Sequence, residues 1–206
     1  DRFKGATEIT IYAHDHPGLF SRIAGAMALS GGSIVDAKIF TTTDGMALDT
    51  FWVQDENGEP FDRADKLDRL YVRIDQTLAG RLRPRDELEK EVRLPSRLKV
   101  FKVAPRVLID NRASRTHTVI EVNGLDRNGL LYELTRALSA LNLQIASAHI
   151  STFGEAAVDV FYVKDLFGLQ ITNQSKLDQI RDALLVVMQD QATQSGVTET
   201  AATAAE

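Results

Sequence analysis

The chain has 206 residues, 44% of them hydrophobic and 26% charged, enough for one large globular domain or two of roughly 100 residues each. It contains no cysteine, which excludes disulfides and thiolate catalysis and fits a reducing cytoplasm. A net charge of −5 and a pI near 5.4 speak against nucleic acid, no apolar run approaches the roughly 18 residues of a membrane span, and a start on Asp1 without a secretory leader reads as a piece of a longer chain.

Glu8 to Ala13 alternates, with Ile9 and Ile11 on one side, and predicts a strand. Pro17 to Ser30 places Leu19, Ile23, Ala26 and Ser30 on one helical stripe with Phe20 and Met27 beside it, and Gly31-Gly32 ends it. Ser33 to Thr42 and Met46 to Gln54 predict two strands around a Thr-Asp-Gly turn. Asp62 to Ala79, with Leu67, Leu70, Ile74 and Leu78, predicts a second helix that stops near Gly80. The basic cluster Arg81 to Arg85 is offset at once by Asp86, Glu87, Glu89 and Glu91 and reads as a solvated helix of mixed charge. Leu98 to Val103 and Arg106 to Asp110 look extended, split by Ala104-Pro105.

The pattern then starts again. "ITIYAHDHPGLFSRIAGAMALSGGSIVDAKIFTT" from Ile9 aligns with "IEVNGLDRNGLLYELTRALSALNLQIASAHISTF" from Ile120, an offset of 111. Asp15 meets Asp126, Gly18 meets Gly129, Leu19 meets Leu130 and Ile34 meets Ile145. After one deletion, at an offset of 110, Asp49 meets Asp159 and Phe51 meets Phe161. The second copy predicts a helix on Leu130, Leu134, Ala137 and Leu141, ended by Asn142. Strands Gln144 to Phe153 and Ala156 to Lys164 follow, then a helix over Ser175 to Gln189 with Asn173 or Ser175 as cap.

The predicted architecture is α+β: two ferredoxin-like β-α-β-β-α-β units in tandem, over residues 1–111 and 116–190, with 81–111 holding the extra helix and linker strands and 191–206 a disordered tail. Each unit needs one more strand. Two linker strands serving two copies would supply one to each sheet. The third strands are apolar on both faces, Phe51 and Val53 against Leu48 and Trp52, so the helix-free face is expected to be partly covered by the other copy or by a partner chain.

A unit of this order with D-x-x-G-L-[LF] opening its first helix resembles the ACT domain, a small module that senses amino acids at domain interfaces. "TTTDGMALDTFWVQDENGEPF" and "ISTFGEAAVDVFYVKDLFG" further resemble the carboxy-terminal ACT pair of the bifunctional PII uridylyltransferase/uridylyl-removing enzymes of bacteria. Those enzymes place a nucleotidyltransferase domain and an HD-type phosphohydrolase domain ahead of the pair. The resemblance implies a non-catalytic, cytoplasmic regulatory region. Glutamine would be its effector and the PII signalling protein the partner of the parent enzyme. Mg2+ would be needed only by the parent, with no cofactor or metal in this chain, no nucleic acid or membrane partner, and ACT–ACT pairing within or between chains.

A helix N-terminus exposes unpaired N–H groups that suit an amino acid's carboxylate, and the glycines let a ligand reach the backbone. The ligand positions implied by the resemblance are Asp15, Gly18, Leu19, Ser33 and Ile34 in the first copy, and Asp126, Asn128, Gly129, Leu130, Gln144 and Ile145 in the second. Asp15 and Asp126 have a second reading as plain helix caps, contributing about 1 kcal/mol each.

Other classes fit less well. His14, Asp15 and His16 could begin a metal-dependent hydrolase site, but the second copy spells these positions Leu125-Asp126-Arg127, and His117 and His149 lie far off in sequence. No phosphate loop or nucleophile motif is present. The regulatory tail of another amino-acid-responsive enzyme, such as an aspartokinase, and a stand-alone ACT-repeat interaction protein remain the alternatives.

Overall fold

A computed structural model describes residues 5–92, 104–153 and 156–189. In chain order the elements are β1 (Thr7–His14), α1 (Leu19–Leu29), β2 (Ser33–Lys38), β3 (Met46–Gln54), α2 (Ala64–Leu78), α3 (Pro84–Val92), β4 (Arg106–Asp110), β5 (Thr118–Leu125), α4 (Leu130–Ala140), β6 (Gln144–Phe153), β7 (Ala156–Lys164) and α5 (Gln174–Gln189). The predicted hairpin strands of the second copy keep their bounds. In the first copy β2 stops at Lys38 rather than Thr42, although Phe40 to Thr42 stay beside β3: Leu48 N–H donates to the Phe40 carbonyl, Thr41 bridges Ala47, and Thr42 N–H donates to the Met46 carbonyl.

The seven strands of the described residues form one sheet, in the order β1-β3-β2-β6-β7-β5-β4, every neighbour antiparallel. The repeats therefore lie side by side, joined where β2 meets β6. Asp36, Ala37 and Lys38 pair with His149, Ala148 and Ser147, and Ile39 N–H donates to the Ala146 carbonyl at 3.0 Å. A bulge interrupts each seam strand near its start at the same repeat position, between Ile34 and Asp36 and between Ile145 and Ser147. Across the seam His149 Nδ1 lies 2.9 Å from Asp36 Oδ1, with Asp36 buried.

The hydrophobic core lies under one face of this sheet. Ile9, Ile11, Ala47, Phe51 and Val53 meet Leu19, Phe20, Ile23 and Met27 of α1 in the first copy. Ile120, Val122, Phe161 and Val163 meet Leu130, Leu134 and Leu138 of α4 in the second. Each fully buried Val, Leu, Ile, Phe or Met among them contributes about 1.5–3 kcal/mol. The predicted stripe of α1 is buried throughout, including Ser30, whose hydroxyl donates to the Ala26 carbonyl at 2.8 Å. Gly31 and Asn142 take the left-handed conformation that stops their helices, at φ 76° and 60°. Asn173 caps α5, its Oδ1 accepting from Lys176 N–H at 3.0 Å.

Arg106–Asp110 pairs with β5 and completes the second sheet, as one of the two linker strands was expected to do; Leu98 to Val103, the other, lies outside the described residues, as does the 191–206 tail. One expectation changes. The other copy does not cover the helix-free face, because both copies contribute their strands to one sheet with the helices on the same side. Tyr12 and Leu48 stand exposed on that face. Trp52 is buried there, with Lys38 Nζ 5.5 Å from its ring.

Candidate functional site

Each repeat enters its first helix through a tight turn. Gly18 and Gly129 are the N-caps of α1 and α4, at φ 83° and 79°, a region that L side chains avoid. Neither helix has a side-chain cap hydrogen bond. Asp15 is thus not a cap: its N–H donates to the Gly45 carbonyl at 3.0 Å, and its Oδ2 accepts from Thr41 Oγ1 at 2.8 Å.

The sheet register decides which predicted residues meet. β1 ends beside the start of β3, where His14 pairs with Met46, and the seam carries β2 out toward the start of β6. The Asp15–Gly18 turn therefore faces the Gln144–Ile145 end of the other copy, with Ser139 of α4 alongside. A Cβ built on Gly18 would lie 3.4 Å from Ser139 Oγ and 3.5 Å from Ser21 Oγ. By the same register the 126–129 turn lies toward the Ser33–Ile34 end of the first copy. The predicted residues thus group crosswise between repeats. Leu19, Leu130 and Ile34 are core residues at 3%, 3% and 4% exposure. Asp15, Ser33, Asn128 and Gln144 are exposed, and Asp126 and Ile145 half-buried.

Beneath each turn lies a second carboxylate that the sequence reading passed over. Asp49 on β3 and Asp159 on β7 point to the helix side of the sheet and are 1% and 2% exposed. Among the described residues the Oδ1 atom of each has no hydrogen-bond partner. Burial pushes both carboxyls up to about 7, and the charge of the turn aspartate above, Asp15 or Asp126, adds to the rise. A backbone hydrogen bond from Phe40 opposes it at Asp49. The signal was available: an aspartate recurs on the apolar face of the third strand in both copies, where a strand would ordinarily carry a hydrophobe.

The two turns differ in their surroundings. Arg127 spans the second one, its Nη1 and Nη2 donating to the two oxygens of Glu133 at 3.2 and 2.5 Å and Nη2 also to the Val187 carbonyl at 3.2 Å. In the first, His16 stands at the place of Arg127, with Nδ1 3.2 Å from the Pro17 carbonyl. Among the described residues no group of three or more His, Asp or Glu side chains could hold a metal ion, and no helix is long and apolar enough to cross a membrane.

Residues 7–67 match the ACT domain and residues 113–191 the ACR family N-terminal ACT domain. The chain is 60% identical over 193 residues to a bifunctional uridylyltransferase/uridylyl-removing enzyme of Azospirillum brasilense, covering 92% of this chain and 21% of that protein. It is 55% identical over 184 residues to the enzyme of the same description from Gluconobacter oxydans, covering 88% and 19%. It spans about a fifth of the length of these curated relatives. A solved structure from Galdieria sulphuraria, described as an unknown protein, overlaps at a TM-score of 0.28 with 11% identity, covering 89% of this chain and 91% of that one. With both repeats matched and their elements ordered β-α-β-β-α, the chain belongs to the ACT domain family, as a tandem pair of such domains.

Proposed function

We propose that this chain is the amino-acid-sensing region of a uridylyltransferase/uridylyl-removing enzyme, with glutamine as effector. Binding would shift the parent enzyme from uridylylating the PII nitrogen-regulatory protein to removing UMP from it, in the cytoplasm. The observation that carries the reading is the crosswise site at the Asp15–Gly18 turn, in a chain 60% identical to such an enzyme. The N-terminus of α1 offers N–H groups and a partial positive charge to the α-carboxylate. Asp15, with Asp49 beneath it, offers negative charge to the ammonium. Ser139 and Gln144 of the other copy offer hydroxyl and amide groups to a polar side chain. A ligand held between the repeats couples to both, which is what allosteric control of distant catalytic domains requires. Mg2+ belongs, on this reading, to those catalytic domains.

Calorimetric titration with L-glutamine tests the reading, with glutamate, serine and lysine as controls. Heat with glutamine that disappears in Asp15→Asn supports it. Absence of heat with every amino acid, for the chain alone and for the full-length protein, refutes it.

A further inference from the structure

We propose that only the first of the two turn sites is open to a ligand, because the linker helix α3 is built into the second and occupies it. This rests on the effector-site reading above and fixes its stoichiometry at one ligand per chain.

The repeat makes the two sites comparable position by position. Around Gly18 stand Ser21 and Ser139, two hydroxyls that lie 3.5 and 3.4 Å from where a Cβ would be. Their counterparts at the offset of 111 are Tyr132 and Ala28. At the second site these two join Leu29, Leu82 and Leu88 in an apolar cluster separate from the main core. Leu88, at the middle of α3, is 6% exposed, and its Cδ1 lies 3.0 Å from where a Cβ on Gly129 would be. Gly129 is buried and Gly18 half-exposed. The approach that a glycine leaves free at the turn is therefore taken up by a leucine of the same chain.

The helix is seated on this site by shape. Gly25 of α1 lets Pro84 and Tyr132 close in, so that a Cβ there would lie 2.5 Å from Pro84 Cβ and 2.9 Å from the Tyr132 ring. At the matching position of α4 stands Arg136, exposed and far too large to admit the same contact. The two faces of the pseudo-twofold pair thus differ, and α3 fits one of them. The stretch reads as a solvated helix of mixed charge by sequence. The structure adds to this: Arg85, Asp86 and Lys90 are exposed while Leu88 is buried, and that leucine is the plug.

Binding of L-glutamine to the 206-residue chain is expected at one molar equivalent, lost in Asp15→Asn and kept in Asp126→Asn. Leu88→Ala is expected to raise it to two equivalents. Two equivalents in the parent chain, or loss confined to Asp126→Asn, would overturn the inference while leaving the effector reading intact. A second arm needs no amino acid. The chain has no cysteine, so Ala28→Cys and Ser139→Cys each give a single thiol at matched positions. Leu88→Ala should speed labelling of the thiol at position 28 by about tenfold and leave that at 139 unchanged. Equal response at both positions, or none, would show that α3 does not seal the second site, whatever the titration gives.

Discussion

Replacing Asp159 with Asn, alone and with Asp49→Asn, should stabilise the chain at pH 8 and remove a loss of stability that the parent chain suffers as pH rises. Both carboxyls are raised from 3.8 to about 7, first by burial and then by the aspartate of the turn above. The native state therefore holds protons that the unfolded chain gives up above pH 3.8. The stabilisation is complete below the unfolded value, declines as pH rises, and is gone above about 7. Each tenfold change in proton affinity is worth about 1.4 kcal/mol, so this rise sets a ceiling of about 4 kcal/mol per residue. Asparagine keeps the shape without the charge, but its buried amide costs about 1–3 kcal/mol where unpaired, leaving a net gain of about 1–3 kcal/mol at pH 8. Urea unfolding at pH 5, 6, 7 and 8 measures it. Burial and the charge of Lys164 lower the His117 pKa from 6.5, but that residue is common to all the chains and cancels in the difference. The advantage of the Asn variants should grow from pH 5 to about pH 7 and level off by pH 8. A difference that does not change with pH refutes the reasoning.

If glutamine's ammonium settles over Asp15 and Asp49, it should draw the proton off Asp49, and titrations in buffers of different ionisation enthalpy at pH 6.5 should show proton release absent from Asp49→Asn. Gly25→Ala should cost about 1–3 kcal/mol in thermal unfolding, because Pro84 and Tyr132 leave no room for a methyl group. Gly18→Ala, strained only by its positive φ, should cost about 1 kcal/mol. Arg127→Ala should cost about 1.5–3 kcal/mol in urea unfolding, since it removes a paired guanidinium whose side chain is only 13% exposed, whereas His16→Ala should change stability little.

Most of the fold was legible because local signals agreed. Period-3.6 stripes marked α1 and α4, alternation marked the hairpins, and Gly31 and Asn142 marked the stops. The repeat added a check that no single stretch could give. What local pattern could not carry was pairing at a distance. Arg106–Asp110 looks the same whether it completes the first sheet or the second, and Leu48 and Tyr12 look the same whether covered or bare. The site was half legible. The glycine turns announced themselves, but Asp49 and Asp159 were read as repeat matches rather than as charges on an apolar face. Leu88 was hidden among Arg85, Asp86, Glu87 and Lys90, where composition speaks louder than one hydrophobe.

The strand β4 precedes the repeat whose sheet it closes. In a simple tandem array the closing strand follows its own second helix. Here it is borrowed from upstream, so the stretch that recurs in the sequence and the stretch that folds together are offset from one another. Cutting the chain between Asp110 and Thr118, where the self-similarity invites a boundary, would strip β5 of its outer neighbour and bare a sheet edge, an invitation to aggregation. The β2–β6 seam would open a second edge at the same stroke. The two halves descend as copies but are no longer separable parts. Any attempt to isolate one, or to graft it onto another enzyme as a sensor, has to carry residues 104–111 with the second half, and to supply a substitute for the strand that the first half presents at the seam.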